Sequence, residues 1–165
     1  MLKFAVHKLI NEETRLGLLE VAKVADSHYH DVQDDDLGVK VRTINIKKNN
    51  LLLEKINQFV AKMDPDLYLG ECFFNLYKEG SYIKGHMDGG QVRKTVVTVI
   101  HKSEDLKGGY ALFLDRENEC PYVLDVDIGE SIVYDQTAYH ALSYIYQGSR
   151  LALVCWYHRK SENKV

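Results

Sequence analysis

The segment Ser81-Tyr82-Ile83-Lys84-Gly85-His86-Met87-Asp88, followed by Arg93-Lys94-Thr95-Val96-Val97-Thr98-Val99-Ile100-His101, decides how the chain is read. The second run is dense in β-branched residues, the first carries Tyr82-Ile83, and a glycine-containing turn separates them, the pattern of two short strands. Further runs of the same kind extend to either side: Gly70–Tyr77, Tyr110–Asp115, Tyr122–Val126, Ser131–Asp135, Ala141–Tyr146 and Arg150–Tyr157. Eight short strands at this spacing predict a closed sandwich or jelly roll.

Upstream the periodicity changes. Asn11 is placed to cap a helix, Glu12 and Glu13 suit its positive end, and Leu16, Leu19, Ala22 and Ala25 recur at helical spacing, with Gly17 as an unfavourable interruption. Residues 26–42 read as loop, with Asp34-Asp35-Asp36 as a solvated turn and the whole long enough to form a lid. A second helix begins near Asn50 and carries the apolar stripe Leu52, Leu53, Ile56, Phe59, Val60 and Met63. It ends at Asp64-Pro65, because the residue before proline resists helical geometry. The expected fold is mainly β with N-terminal helices, an α+β arrangement. Residues 1–165 form one domain, in which 1–66 are a helical support and 67–160 the jelly-roll core.

Composition bounds the function. The 165 residues are 45% apolar with a formal net charge of -3, enough for one packed core and no argument for a nucleic-acid or anionic-membrane surface. The residues after Met1, Leu2–Lys8, are too short and polar a run for a signal peptide, and no apolar run approaches the roughly 20 residues a membrane span requires. Cys72, Cys120 and Cys155 are odd in number and far apart, so a cytoplasmic setting without a disulfide framework is expected.

His86 and Asp88 stand two apart in a predicted strand, so their side chains share a face and converge on one point. His140, near the start of a later strand, completes two imidazoles and one carboxylate. That set with open positions opposite suits non-haem Fe(II), although zinc accepts the same ligands. Arg150 separates the two. It follows the turn at Gln147-Gly148 and opens the almost wholly apolar run Leu151–Trp156. The strands flanking that turn are expected to be antiparallel neighbours, which brings His140 and Arg150 together. An arginine pointing inward there needs an anion, and a planar guanidinium suits a carboxylate in two-point contact. Asp135, or the far end of a dicarboxylate co-substrate, would meet that need.

With these residues in place the sequence resembles the 2-oxoglutarate/Fe(II) dioxygenase superfamily, most of all its prolyl 4-hydroxylase-like branch. Tyr77–Asp88 is similar to that branch's Y-x-x-G-x-aromatic-x-x-x-H-x-D entry, Gly108-Gly109 with Tyr110–Phe113 to its glycine-pair turn and strand, and Gly129–Tyr134 to its G-x-x-hydrophobic-x-aromatic strand. His140, Gly148, Arg150 and Trp156 match its closing H…G-x-R…W. The resemblance spans about residues 70–160. It implies a double-stranded β-helix that binds Fe(II), 2-oxoglutarate and O2 and allows ascorbate as an accessory. It also implies that His86, Asp88 and His140 hold the metal, that Arg150 anchors the distal carboxylate of 2-oxoglutarate, that Tyr77 hydrogen-bonds this co-substrate, and that Thr98 or another side chain of its strand assists Arg150. The chain departs from the branch at Ile100-His101-Lys102, where Tyr-Leu-Asn is common, and at Tyr110-Ala111, where Glu-Thr is usual.

The implied activity is hydroxylation of a C–H bond in an amino-acid or peptidyl substrate, prolyl residues included, with release of succinate and CO2. The presence of Asp88 favours hydroxylation over halogenation, which requires that carboxylate to be missing. Two other functions compete: oxidative demethylation of nucleic acid, disfavoured by the mild acidity, and a catalytically silent jelly-roll binding module. The expected partner is a small-molecule or peptidyl substrate, with no nucleic acid and no membrane, and no oligomeric state is implied. His28 and His30, also two apart, read as surface residues without a third ligand. Phe73, Phe74, Phe113 and Trp156 read as core, and Tyr82, Tyr139 and Tyr144 as residues of a pocket rim.

Overall fold

The computed structural model describes residues 4–25, 28–34, 39–115 and 119–160. In chain order its elements are β1 (Phe4–His7), α1 (Glu12–Val24), β2 (His30–Asp34), β3 (Val39–Asn45), a 3₁₀ turn (Leu51–Leu53), α2 (Glu54–Met63), β4 (Leu67–Lys78), β5 (Tyr82–His86), β6 (Val92–Lys102), β7 (Lys107–Gly108), β8 (Ala111–Asp115), β9 (Cys120–Leu124), β10 (Ser131–Asp135), β11 (Tyr139–Leu142), β12 (Ile145–Gln147) and β13 (Ser149–Arg159).

The caps form as the sequence requires. Asn11 Oδ1 accepts from the Thr14 N–H at 2.9 Å, and Asn50 Oδ1 accepts from the Leu52 N–H at 3.0 Å. Asp64 leaves α2 in an extended conformation before Pro65. Gly17 has a packing reason to stand in α1: a Cβ there would press on the Leu52 side chain at 3.0 Å, so its absence lets α1 close onto the 3₁₀ turn.

Among the described residues, eleven strands pair in the antiparallel order β1-β10-β6-β13-β4-β3-β5-β11-β8-β9, with β2 added on β3. A second, two-stranded ladder joins β12 to β7. The long sheet curls, so that β6, β13, β4 and β3 face β5, β11 and β8 across an interior space. This is the jelly-roll fold expected. Its central wall has two faces that alternate residue by residue. On β4 and β13, Cys72, Phe74, Leu151, Leu153 and Cys155 point outward and bury against Leu18 and Ala22 of α1 and Ile56 and Val60 of α2. The intervening residues Phe73, Asn75, Tyr77, Arg150, Val154 and Trp156 point into the curl. No described helix is long and apolar enough to cross a membrane.

Several expectations need correction. The segment 26–42 contains β2 and most of β3, which pair with each other, while Asp35 and Asp36 lie outside the described residues. The first 66 residues are therefore not a purely helical support, because β1 pairs with β10 and β3 with β4 and β5 of the same sheet. The run Ala141–Tyr146 divides into β11 and β12. The turn at Gln147-Gly148 does not join neighbouring strands: β11 pairs with β5 and β8, whereas β13 pairs with β4 and β6. His140 and Arg150 thus approach from opposite walls. The cause is β12, which pairs with β7 and carries the chain from one wall to the other, and Gly148 (φ 78°), whose left-handed turn starts β13 on the far side.

The two faces predict different costs. Phe74→Ala removes a fully buried ring from the helix-facing side and is expected to destabilise by about 3–5 kcal/mol. Phe73→Ala, one residue along but half-buried, is expected to cost clearly less. Urea midpoints of the two variants check this, and equal losses would contradict the two-faced wall.

Candidate metal centre and its cavity

His86 ends β5 and pairs in register with His140 of β11, so two imidazoles from adjacent strands meet with ring centroids 4.3 Å apart. Asp88 lies just beyond β5. Its Oδ1 is 3.7 Å from His86 Nε2 and 3.8 Å from His140 Nε2. One ligand atom from each of the three lies within 4.8 Å of the others, the one such group among the described residues.

The rings are aimed by their own backbone. His86 Nδ1–H donates to the Lys84 carbonyl at 2.9 Å, and His140 Nδ1–H donates to the Ala138 carbonyl at 3.0 Å. A carbonyl only accepts, so each Nδ1 carries a proton, which leaves Nε2, on the Asp88 side, as the nitrogen that can ligate a metal. Burial pushes the His140 pKa below its ordinary value, the Ala138 hydrogen bond opposes this, His86 lowers it further and Asp88 raises it. The net direction keeps this imidazole neutral, as a ligand must be. The Tyr134 hydroxyl lies 3.1 Å from His140 Nε2. Burial, Asp88 and Tyr77 hold the Tyr134 phenol well above its usual pKa, so it stays a donor.

Asp88 is fixed by a partner not anticipated above. The Thr95 hydroxyl donates to Asp88 Oδ2 at 2.5 Å, leaving Oδ1 toward the two imidazoles. The Asp88 side chain is 5% exposed, that of His140 12% and that of His86 40%, so the centre opens on the His86 side. Two imidazole nitrogens and one carboxylate oxygen converging this closely, each oriented by a second group, fit a divalent cation.

The centre lies on the wall of a cavity of about 390 Å³. Arg150 faces the same space from β13, 3% exposed, and no carboxylate or hydrogen-bond acceptor contacts its guanidinium among the described residues. Asp135, a partner considered above, pairs with Lys94 instead. Burial lowers the Arg150 pKa, with Tyr77 and Asp125 opposing, yet a guanidinium remains charged. Tyr77, opposite Arg150 in register, sets its ring 5.8 Å from the guanidinium carbon. The Asn75 amide nitrogen donates to the Tyr77 hydroxyl at 2.9 Å, and the buried Asn75 Oδ1 has no partner. An unpaired cation and an orphaned acceptor on one buried wall are costly unless a polar ligand meets them.

Of the expected site residues, His86, Asp88, His140, Arg150 and Tyr77 all line this cavity, whereas Thr98 does not. Thr98 faces the other side of β6, fully buried, with its hydroxyl 2.7 Å from Ser131 Oγ. Strand alternation puts Thr95 and Val97 inside in its place. Phe73, Phe113 and Trp156, read as core, line the cavity, while Phe74 is core as expected. Val32 and Val41, from the segment read as a lid, also line it; His28 and His30 are exposed and do not.

Thr95→Val keeps the shape of the side chain but frees Asp88. It is expected to weaken Fe(II) or Co(II) binding about 10- to 100-fold with little loss of stability, measured by metal titration and thermal melting. Unchanged affinity would show that Thr95 does not orient the carboxylate.

No protein-family model matches the sequence, and no curated protein matches it. Solved structures do resemble the fold. A prolyl-4-hydroxylase from Pseudomonas putida aligns with a TM-score of 0.76 and 16% identity over 96% of this chain and 94% of its own. The viral collagen prolyl hydroxylase of Paramecium bursaria Chlorella virus-1, in complex with 2OG, aligns with a TM-score of 0.75 and 13% identity over 97% of both chains. A non-haem alpha-ketoglutarate-dependent epimerase of nogalamycin biosynthesis aligns at 0.76 and 11% identity over 95% of this chain and 78% of its own. The architecture is therefore the jelly roll that prolyl hydroxylases and other 2-oxoglutarate/Fe(II) oxygenases share.

Proposed function

We propose that the protein is a 2-oxoglutarate- and Fe(II)-dependent dioxygenase that hydroxylates a C–H bond of an amino-acid or peptidyl substrate, releasing succinate and CO2. The observation that carries this reading is one cavity holding both a two-histidine, one-carboxylate cluster and a buried arginine without an anion. Neither feature alone separates an iron oxygenase from a zinc site or a structural cation. Together they match the two ends of a chelating dicarboxylate, and the activities named for the structural neighbours point the same way.

His86, Asp88 and His140 would hold Fe(II) through Nε2, Oδ1 and Nε2. Arg150 would hold the distal carboxylate of 2-oxoglutarate in charge-assisted, two-point contact, and the Tyr77 hydroxyl would hydrogen-bond the same co-substrate. When bound, the metal and 2-oxoglutarate supply the oxidising power for O2 activation. The protein fixes geometry and excludes water: Val97, Phe113, Ile132, Leu142 and Val154 make the wall between the two polar ends apolar. Tyr134, kept neutral, contributes a hydroxyl beside the His140 ligand without adding charge.

The substrate must enter from the open side, near His86. The neighbours' named activities include hydroxylation of prolyl residues and an epimerisation, so the shared fold does not name the substrate. An amino-acid or peptidyl C–H is favoured by the resemblance to the prolyl 4-hydroxylase-like branch. A screen for succinate release against free amino acids, peptides and methylated oligonucleotides tests it directly.

Anaerobic addition of Fe(II) and 2-oxoglutarate is expected to produce a visible metal-to-ligand charge-transfer band, lost in His140→Ala. No band in the unmutated protein would favour the silent binding module. Arg150→Ala is expected to raise the 2-oxoglutarate requirement about 100-fold, since it removes two charge-assisted hydrogen bonds, and the Fe(II) requirement far less. Equal losses would mark Arg150 as a structural residue.

A further inference from the structure

Of the acidic and basic side chains on the cavity wall, four have been given roles: His86, Asp88, His140 and Arg150. The fifth is Glu71. It shares the inward face of β4 with Phe73, Asn75 and Tyr77, and exposure falls steadily along that row. Glu71 is exposed, Phe73 half-buried, Asn75 7% and Tyr77 4% exposed. The row is therefore a depth axis running from the mouth at Glu71 to the floor at Tyr77 and Arg150.

Register places Glu71 relative to the metal centre. Glu71 pairs with Trp156 on β13, Trp156 pairs with Thr95 on β6, and Thr95 holds Asp88. Two strand spacings separate Glu71 from Thr95, roughly 10 Å along the sheet. Between them stands an aromatic pair, Phe73 and Trp156, edge to face with ring centroids 4.9 Å apart. Glu71 makes no ion pair or hydrogen bond among the described residues. A carboxylate cross-strand from an indole attracts a cationic nitrogen by charge, and the aromatic ring can add cation–π contact.

We infer that Glu71, with Trp156 and Phe73, selects substrates carrying an ammonium or guanidinium group a few bonds from the carbon presented to the metal centre. The position of the reacting carbon rests on the oxygenase reading; the charge preference does not.

Trp156 is the chain's single tryptophan, so its emission reports on the mouth without metal, co-substrate or turnover. The probes are Nα-acetyl-L-lysinamide and its uncharged analogue Nα-acetyl-L-norleucinamide, titrated into the metal-free protein at low salt. The cationic probe is expected to bind about tenfold more tightly, with the gap narrowing as salt is added. Glu71→Gln is expected to reduce the gap to about threefold or less, the remainder being the cation–π contact with the indole. Equal affinity of the unmutated protein for both probes, binding of neither, or a preference of about tenfold undiminished by Glu71→Gln would overturn the inference. The charge-transfer band separates the two readings. A band without a cation preference sinks the role of Glu71 alone, whereas a cation preference without a band sinks the oxygenase reading and leaves Glu71 as the selector of a binding site.

Discussion

The pairing of β4 with β13, in unbroken register from Ser149 opposite Lys78 to Trp156 opposite Glu71, is the constraint on which the rest of the molecule hangs. Each strand alternates strictly, so one register decides two things at once. It turns Phe74, Leu153 and Cys155 toward the helices and so builds the main core. It also turns Glu71, Phe73, Asn75, Tyr77, Arg150, Val154 and Trp156 into the curl and so furnishes one wall of the cavity. A slip of one residue would exchange the faces, placing Arg150 among the leucines and Leu151 in the cavity. Stability and site chemistry are thus selected by the same hydrogen-bond ladder. The site can be polar because the other face is apolar enough to hold the fold together.

The electrostatics of the cavity follow from where water can reach. At the floor a guanidinium is buried with no carboxylate in contact among the described residues, an arrangement that favours an anion beside it. At the metal centre Asp88 is nearly as buried but is shared by two imidazoles and the Thr95 hydroxyl. The two buried polar ends lie on opposite walls, joined by apolar side chains. With a divalent cation held at one end, a ligand that met both would carry negative charge at two separated points.

Much of this was legible in the residues. The spacing of His86 and Asp88 needs only the two-residue period of a strand, and the fold's short runs and turns are visible from residue 70 onward. Long-range relations were less so. Val39-Lys40-Val41-Arg42-Thr43 alternates as a strand should, but it follows the acidic run Asp34-Asp35-Asp36 and reads as loop until β4 supplies a partner. β1 is four residues long, too short to stand out. Thr95 and Thr98 lie three apart and so face opposite sides of β6, and composition does not say which side is inside. Arg150 was correctly expected to point inward, but from the wrong neighbour: the short crossover strand β12 moves it to the opposite wall, and nothing local in Gln147-Gly148 distinguishes a crossover from a hairpin.

The tie between each histidine and the carbonyl two residues before it has a consequence for how the centre arose and how it tolerates change. The aim of each imidazole is settled within a three-residue segment, Lys84–His86 in one strand and Ala138–His140 at the start of the other. Only the pairing of the two strands then has to be right for the nitrogens to converge. Such a unit is modular: it could be carried into another β-scaffold by transplanting two tripeptides in matching register, together with the acid and a hydroxyl placed as Thr95 is to hold it.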